Sequence, residues 1–134
     1  MSSFALHIVT PEREVYSGPA QLLNVRTIEG DIGILKNHLD LVSPIGIGPI
    51  KVVFEDGSQR LGAIAGGFVR VTKEKTTVVA STLEWKDEID LERAKQTVEK
   101  AKNYLKEPYN DREQRRFEVK LQKALNRIRI AEHE

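Results

Sequence analysis

The sequence has no cysteine, which excludes disulfides and thiolate metal sites. Its three histidines, His7, His38 and His133, lie too far apart to form a ligand pair at helical spacing. No run of about 18 apolar residues occurs, so no membrane-spanning helix is expected. The opening Met1-Ser-Ser-Phe4 lacks a basic region followed by an apolar one, so no signal peptide is expected. Charge of one sign is also missing: 21 Lys+Arg against 20 Asp+Glu leaves +1, which argues against a broad nucleic-acid footprint. A glycine-rich phosphate loop is absent, as are a Ser/His/Asp set and a carboxylate paired with a water-activating base. No catalytic residue is assigned. These absences lead to the expectation of a soluble intracellular protein, peripheral to a larger assembly.

One further scarcity divides the chain. After Trp85, Lys86 to Glu134 holds no glycine and one proline, Pro108. Before it, short apolar segments are punctuated by glycine. The expected organisation is a β-module over 1–85 followed by a helical appendage over 86–134. The appendage also carries most of the charge, 13 of the 21 Lys+Arg and 11 of the 20 Asp+Glu.

In the first part, Phe4 to Val9 alternates and ends at Thr10-Pro11, a strand and a turn. Glu14 to Ser17 leads to Gly18-Pro19, read as another turn. Leu22 to Ile28 places Leu23, Val25 and Thr27 on one face, and Glu29-Gly-Asp-Ile-Gly33 supplies a tight corner. Leu41-Val42, Ile50 to Phe54, Arg60 to Ala65, Phe68 to Thr72 and Thr77 to Ser81 read as further short strands. Asp56-Gly57 signals a hairpin, and Gly66-Gly67 a bulge or close backbone approach. Many short strands at near-regular spacing predict an all-β sandwich or flattened barrel.

In the second part, Ala94, Val98, Ala101 and Leu105 recur at i, i+4, i+7 and i+11, one stripe of a helix. Asp90 suits its N-cap, with Glu92 in the positive first turn. Pro108 breaks that helix, and Asn110 or Asp111 is the next N-cap. The second helix is expected to bury Phe117, Leu121, Ala124, Leu125 and Ile128. Two helices with narrow apolar faces and a short loop predict an antiparallel hairpin. The overall class is α+β, a β-sandwich or barrel followed by a two-helix hairpin. Alanine supplies three seam positions, so the hairpin is expected to be marginally stable by itself, as a switch requires.

Arg112, Arg116, Lys120, Lys123 and Arg127 fall in one sector of the second helix, beside its apolar face. Arg93 and Lys100 share a side of the first. A closed hairpin would set two cationic rows beside one groove, suited to a polyphosphate or an acidic partner surface. A solvated face with local pairs such as Glu113–Arg116 explains the same pattern.

The order of these segments resembles the epsilon subunit of bacterial F-type ATP synthase (delta in mitochondria) over essentially the whole chain. The matching pieces are Val15-Tyr-Ser-Gly18, Glu29-Gly-Asp-Ile-Gly-Ile34, His38, Gly66-Gly-Phe-Val-Arg-Val71, Ile89-Asp-Leu-Glu-Arg-Ala94 and Ala124-Leu-Asn-Arg127. One departure is visible. This chain reads Leu35-Lys-Asn-His38 where the family commonly has Leu-Pro-Gly-His, so the resemblance does not itself imply the geometry of that loop.

The resemblance implies a central-stalk subunit that binds gamma, contacts the membrane-embedded c-ring and rotates with both, without inserting into the membrane. Its expected location is the cytoplasmic face of the bacterial cell membrane. Glu29, Asp31 and His38 are the implied c-ring contacts. The family's C-terminal hairpin either folds down or extends along gamma toward the catalytic alpha and beta subunits, and the extended form opposes ATP hydrolysis. The basic stripe Arg112, Arg116, Lys120, Lys123 and Arg127 would then meet acidic surfaces there.

Some members bind ATP in the folded-down state through Ile/Leu-Asp-x-x-Arg-Ala, here Ile89 to Ala94. By that resemblance Asp90 would accept from the adenine amino group, and Arg93 would stack on the base or bond its ring nitrogens. Arg116 and Arg127 match family arginines facing the phosphates. Lys100 and Lys123 stand where arginine is frequent, and Glu84 matches another position near the nucleotide. ATP, with or without magnesium, is thus the implied regulatory ligand, and no protein side chain is expected to bind a metal. The rival readings are a stalk subunit without nucleotide binding, a nucleic-acid-binding module built on the basic helix, and a nucleotide hydrolase.

Overall fold

A computed structural model describes residues 2–107 and 110–133. The chain divides into two compact units, Met1–Trp85 and Lys86–Glu134. The first holds six strands: β1 (Phe4–Val9), β2 (Glu14–Thr27), β3 (Gly30–Ile34), β4 (Leu41–Phe54), β5 (Gln59–Val71) and β6 (Thr76–Trp85). The second holds a 3-10 turn, Lys86–Glu88, and helices α1 (Leu91–Tyr104) and α2 (Asp111–Ala131).

The sheet runs β1-β6-β5-β4-β2-β3, and β1 also pairs with β2. Five strands therefore close a ring, with β3 attached to β2, and closure removes most of the edge hydrogen-bonding groups that invite aggregation. β1 pairs with β6 in parallel; the other pairings are antiparallel. Alternation delivers Leu6, Ile8, Leu23, Val25, Ile50, Val52, Ile64, Val69 and Val78 to the interior, each 0–1 % exposed.

The glycine pair Gly66-Gly67 is a close backbone approach, as its sequence suggests. Both residues have positive φ, +72° and +94°, and a Cβ on Gly67 would lie 1.8 Å from the Val79 carbonyl oxygen. Burial in β5 changes phase there, from Gly62 and Ile64 to Val69 and Val71. β6 shifts likewise between Ala80 and Leu83. The paired strands bend together, so each keeps an apolar face on the core.

The strands are longer and fewer than the punctuation suggests. Gly18-Pro19, read as a turn, lies inside β2, at the point where that strand leaves β1 for β4: Ala20 pairs with both Phe4 and Phe54. The Tyr16 hydroxyl donates to the Pro19 carbonyl at 2.7 Å, and a Cβ on Gly18 would sit 2.7 Å from that hydroxyl. The pair thus allows a bend beneath a ring, with no reversal of the chain.

Leu41-Val42 and Ile50 to Phe54 are two parts of the single strand β4. Gly46 and Gly48 interrupt its pattern because β2 crosses close above them; a Cβ on Gly48 would lie 2.6 Å from the Cβ of Arg26. β5 likewise joins Arg60–Ala65 to Phe68–Val71. Asp56-Gly57 does form the β4–β5 turn, with Gly57 at φ +88°.

In the second unit both expected caps form. The Asp90 carboxylate accepts from the Arg93 N–H at 3.1 Å, and the Asn110 side-chain oxygen from the Glu113 N–H at 2.9 Å. Pro108, expected to break the helix, lies outside the described residues. Ala94, Val98 and Ala101 of α1 are buried, and Ala124 of α2 is buried. Phe117, Leu121, Leu125 and Ile128 are only half-buried, whereas Asn126 and Ile130 are fully buried. This corrects the expected stripe. At about 100° per residue Asn126 and Ile130 lie well around the helix from Ala124, so the last turns of α2 are covered on more than one side.

Candidate functional site

The Ile89–Ala94 segment joins the 3-10 turn to α1 and distributes its residues by local geometry. Ile89 closes the turn through its N–H to the Lys86 carbonyl at 3.4 Å and is half-buried. Asp90 spends one carboxylate oxygen on the cap. Ala94, four residues on, is buried in the hairpin. Arg93 is exposed on the neighbouring face.

Along that face α1 presents Arg93, Gln96, Thr97, Lys100 and Tyr104. With Phe117 and Lys120 of α2 and the buried Ala101, they line a cavity of about 400 Å³, within the size range of small-molecule sites. Three cations line it and no carboxylate does, although the hairpin as a whole is nearly charge-balanced. Among the described residues, Arg93, Lys100 and Lys120 enter no ion pair with a carboxylate. The side chains of Tyr104 and Phe117 stack with centroids 4.4 Å apart and planes 3° from parallel. The arrangement can hold an anionic ligand with several negative charges.

The other residues assigned to ATP stand elsewhere. Arg116 is exposed and lies 3.9 Å from Glu113, the local pairing expected of a solvated face. Lys123 and Arg127 are half-buried on α2, outside the cavity lining. Glu84 belongs to β6 of the barrel, opposite Ala63. Of the basic stripe, Arg112, Arg116 and Lys120 are exposed, while Lys123 and Arg127 are half-buried. The structure therefore brings Arg93, Lys100 and Lys120 together and adds Gln96, Thr97, Tyr104 and Phe117. The i, i+4, i+7, i+11 spacing of Arg93, Thr97, Lys100 and Tyr104 was the signal in the sequence for this lining.

The far ends of the two helices are tied together. The Lys95 ammonium lies 3.9 Å from the Glu132 carboxylate, and the Lys86 ammonium donates to the His133 carbonyl. Both contacts are exposed and together act as a clasp at the open end of the hairpin.

In the barrel, Glu29 lies in the β2–β3 turn, where its N–H donates to the Thr27 hydroxyl at 3.2 Å. Asp31 is bound by Arg26, with Nε–Oδ1 at 2.5 Å and Nη2–Oδ2 at 3.3 Å. The bond to Asp31 holds the Arg26 guanidinium pKa above its usual value. Asn37 has φ +66° and the His38 N–H donates to the Leu35 carbonyl at 3.2 Å. This is a turn with positive φ at its third position, which asparagine tolerates almost as glycine does. His38 Nδ1 lies 2.7 Å from the Leu39 carbonyl, which can only accept, so Nδ1 carries the proton.

The same loops carry a feature that the choice of polar residues missed. Ile28, Leu35 and Leu39 are 67 %, 58 % and 83 % exposed, and Val42 at the start of β4 is 67 % exposed. Apolar residues placed in turns, where no core can take them, were the available signal. Among the described residues no group of three or more His, Asp or Glu side chains is placed to hold a metal. No described helix is long and apolar enough to cross a membrane.

Comparison with known proteins covers both units. Residues 3–86 match the family model for the ATP synthase delta/epsilon chain β-sandwich domain, and residues 87–132 that for its long α-helix domain. An ATP synthase epsilon chain of Caldicellulosiruptor bescii is 39% identical over 132 residues, covering 98% of this chain and 96% of the relative. One from Bacillus pumilus is 37% identical over 131 residues, covering 98% of each chain. Among solved structures, a chain of the Euglena gracilis mitochondrial ATP synthase aligns with a TM-score of 0.84 at 22% identity. That alignment covers 94% of this chain and 79% of the other, and it shows a shared fold.

Proposed function

The chain belongs to the epsilon-chain family of F-type ATP synthases, and we propose that it is a non-catalytic central-stalk subunit whose helical hairpin senses ATP and restrains ATP hydrolysis. The barrel is the docking unit. It binds gamma and contacts the c-ring of a proton-translocating synthase at the cytoplasmic face of the bacterial membrane. The loops bearing Glu29 and His38, which flank Asp31 of β3, also expose Ile28, Leu35 and Leu39. Apolar groups among polar ones favour a durable protein contact over a purely electrostatic one.

The observation that carries the sensing reading is the acid-free cavity lined by Arg93, Lys100 and Lys120 beside the Ile89–Ala94 motif. MgATP would occupy it with its base toward Asp90 and Arg93 and its phosphates toward the lysines. A ligand that prefers the closed hairpin stabilises it by RT ln(1+[L]/Kd). The buried seam is Ala94, Val98, Ala101 and Ala124, alanine at three of its four positions. With the Tyr104–Phe117 stack at its tip and two exposed contacts at its open end, the closed form has little stability of its own. As ATP falls, the hairpin opens and α2 reaches the alpha and beta subunits, where Arg112, Arg116, Lys120, Lys123 and Arg127 meet acidic surfaces.

The test is ATP hydrolysis by the assembled complex carrying either the natural chain or one with those five residues changed to glutamine. The five-fold variant should relieve inhibition at low ATP, while Arg116→Gln alone changes little, because single exposed charges are worth little. Full inhibition by the five-fold variant would overturn the inhibitory part of the reading.

A further inference from the structure

We propose that the end of the barrel carrying His38 holds an anionic phospholipid, in a cavity between the β3–β4 loop and the β5–β6 turn. The inference rests on the reading above only in that this end faces the c-ring and the membrane around it.

The cavity has a volume of about 750 Å³, within the range of small-molecule sites. Three stretches line it: the start of β1, the loop from Leu35 to Asp40, and the turn from Thr72 to Lys75. Phe4 and Val71 give it an apolar wall, and Leu35 and Leu39 stand at its rim with most of their surface in water. Lys36, Lys73 and Lys75 add three cations, and Asp40 and Glu74 two carboxylates. All five are exposed, and among the described residues none of them enters an ion pair. The ammonium groups thus keep their charge for a ligand.

A soluble anion would leave the leucines unused. Leucines standing in water beside lysines suit an amphiphile, with its phosphate at the ammonium groups and its acyl chains against the leucines. Lysine is drawn to an anionic leaflet, and leucine gains by leaving water. The carboxylates need not oppose this. His38 Nδ1 donates to the Leu39 carbonyl, so its Nε2 is an acceptor, as are Asp40 and Glu74. A headgroup with hydroxyl donors, as in phosphatidylglycerol, satisfies those acceptors while its phosphate meets the lysines. Three lysines and two leucines make a weak site. A weak site suffices here, because a subunit held on the rotor meets the leaflet at high effective concentration.

Flotation of the full chain tests the proposal, with vesicles of phosphatidylcholine alone and of phosphatidylcholine and phosphatidylglycerol in equal parts. The variants are Lys36→Gln/Lys73→Gln/Lys75→Gln, Leu39→Ser, and Lys51→Gln/Lys102→Gln/Lys106→Gln. The last set removes the same charge away from the cavity. The natural chain should float only where phosphatidylglycerol is present. The cavity lysine set should weaken lipid binding about a hundredfold, roughly fivefold for each lysine at an anionic surface. Leu39→Ser should weaken it about tenfold, and the control set less than about twofold.

No flotation of the natural chain, or equal loss from the control set, overturns the proposal. Loss with the cavity lysines but none with Leu39→Ser assigns the cavity to a soluble phosphate and overturns it as well. So does tight binding to a c-ring reconstituted in phosphatidylcholine alone, if the cavity lysine set abolishes it, because the occupant is then a protein loop. None of these outcomes removes the stalk-subunit reading, which is tested in the assembled complex.

Discussion

The rings of Tyr104 and Phe117 lie 4.4 Å apart and within 3° of parallel, joining the last turn of α1 to the second turn of α2. The seam below them is built on Ala94, Val98, Ala101 and Ala124, small residues at three of four positions, so this stack is a large share of what holds the hairpin near its tip. Phe117→Ala should cost the hairpin about 2 kcal/mol, combining lost ring burial with the lost ring pair. Amide hydrogen exchange should accelerate in α1 and α2 and stay unchanged in β1 to β6. Unchanged exchange in the helices would show that the stack is not needed.

Gly67→Ala should damage the barrel severely. The new Cβ would meet the Val79 carbonyl at 1.8 Å, on a residue whose φ of +94° already disfavours a side chain. Strain and forced separation of β5 from β6 should cost roughly 3 kcal/mol or more. Gly57→Ala has a similar φ of +88° but open space around it, so its loss should be about 1 kcal/mol. Thermal melts of the two variants give the comparison directly.

Tyr16 predicts an alkaline weakness. Burial, followed by the nearby charges of Glu55 and Asp56, raises its pKa above 10.0. Its hydroxyl donates to Pro19, and its ring meets Phe54 edge-on at 4.9 Å. A phenol whose folded pKa is raised contributes stability that is present below its unfolded pKa and lost as pH rises through the folded one. Barrel stability should therefore fall above about pH 10, and Tyr16→Phe should flatten that fall. An identical alkaline slope in the variant would remove Tyr16 from the account.

Asp90 carries two separable tasks. Asp90→Ala should cost α1 about 1 kcal/mol as a lost cap and also remove the acceptor proposed for the base amino group. Asp90→Ser keeps the cap, so helix content measured by circular dichroism should stay natural while MgATP affinity falls. If Asp90→Ser binds MgATP normally, Asp90 is a cap alone.

The fold was legible where one physical cause acts alone. The alternation of Leu23, Val25 and Thr27, the caps Asp90 and Asn110, and the turn at Asp56-Gly57 are local and appear as read. Gly18-Pro19 misled because a turn pair is equally compatible with a bend inside a long strand. Leu41-Val42 and Ile50 to Phe54 read as separate strands because the glycines between them, Gly46 and Gly48, answer to the crossing strand β2, distant in sequence. The same holds for the site. Arg93 and Lys100 were visible as one helical face, but which α2 cation faces them depends on the register set by Tyr104 and Phe117. Asn126 and Ile130 are buried off the expected stripe because coverage of α2 depends on more than its own period.

The most direct measurement of the central claim is calorimetric titration of MgATP into the full chain, set beside Arg93→Ala. Binding should be saturable and one-to-one, and the substitution should abolish it while the helices are retained, because the Asp90 cap uses only the backbone N–H of residue 93. Absence of binding at cellular ATP concentrations, or binding that survives Arg93→Ala undiminished, would contradict it and leave a stalk subunit whose hairpin is governed by its protein partners.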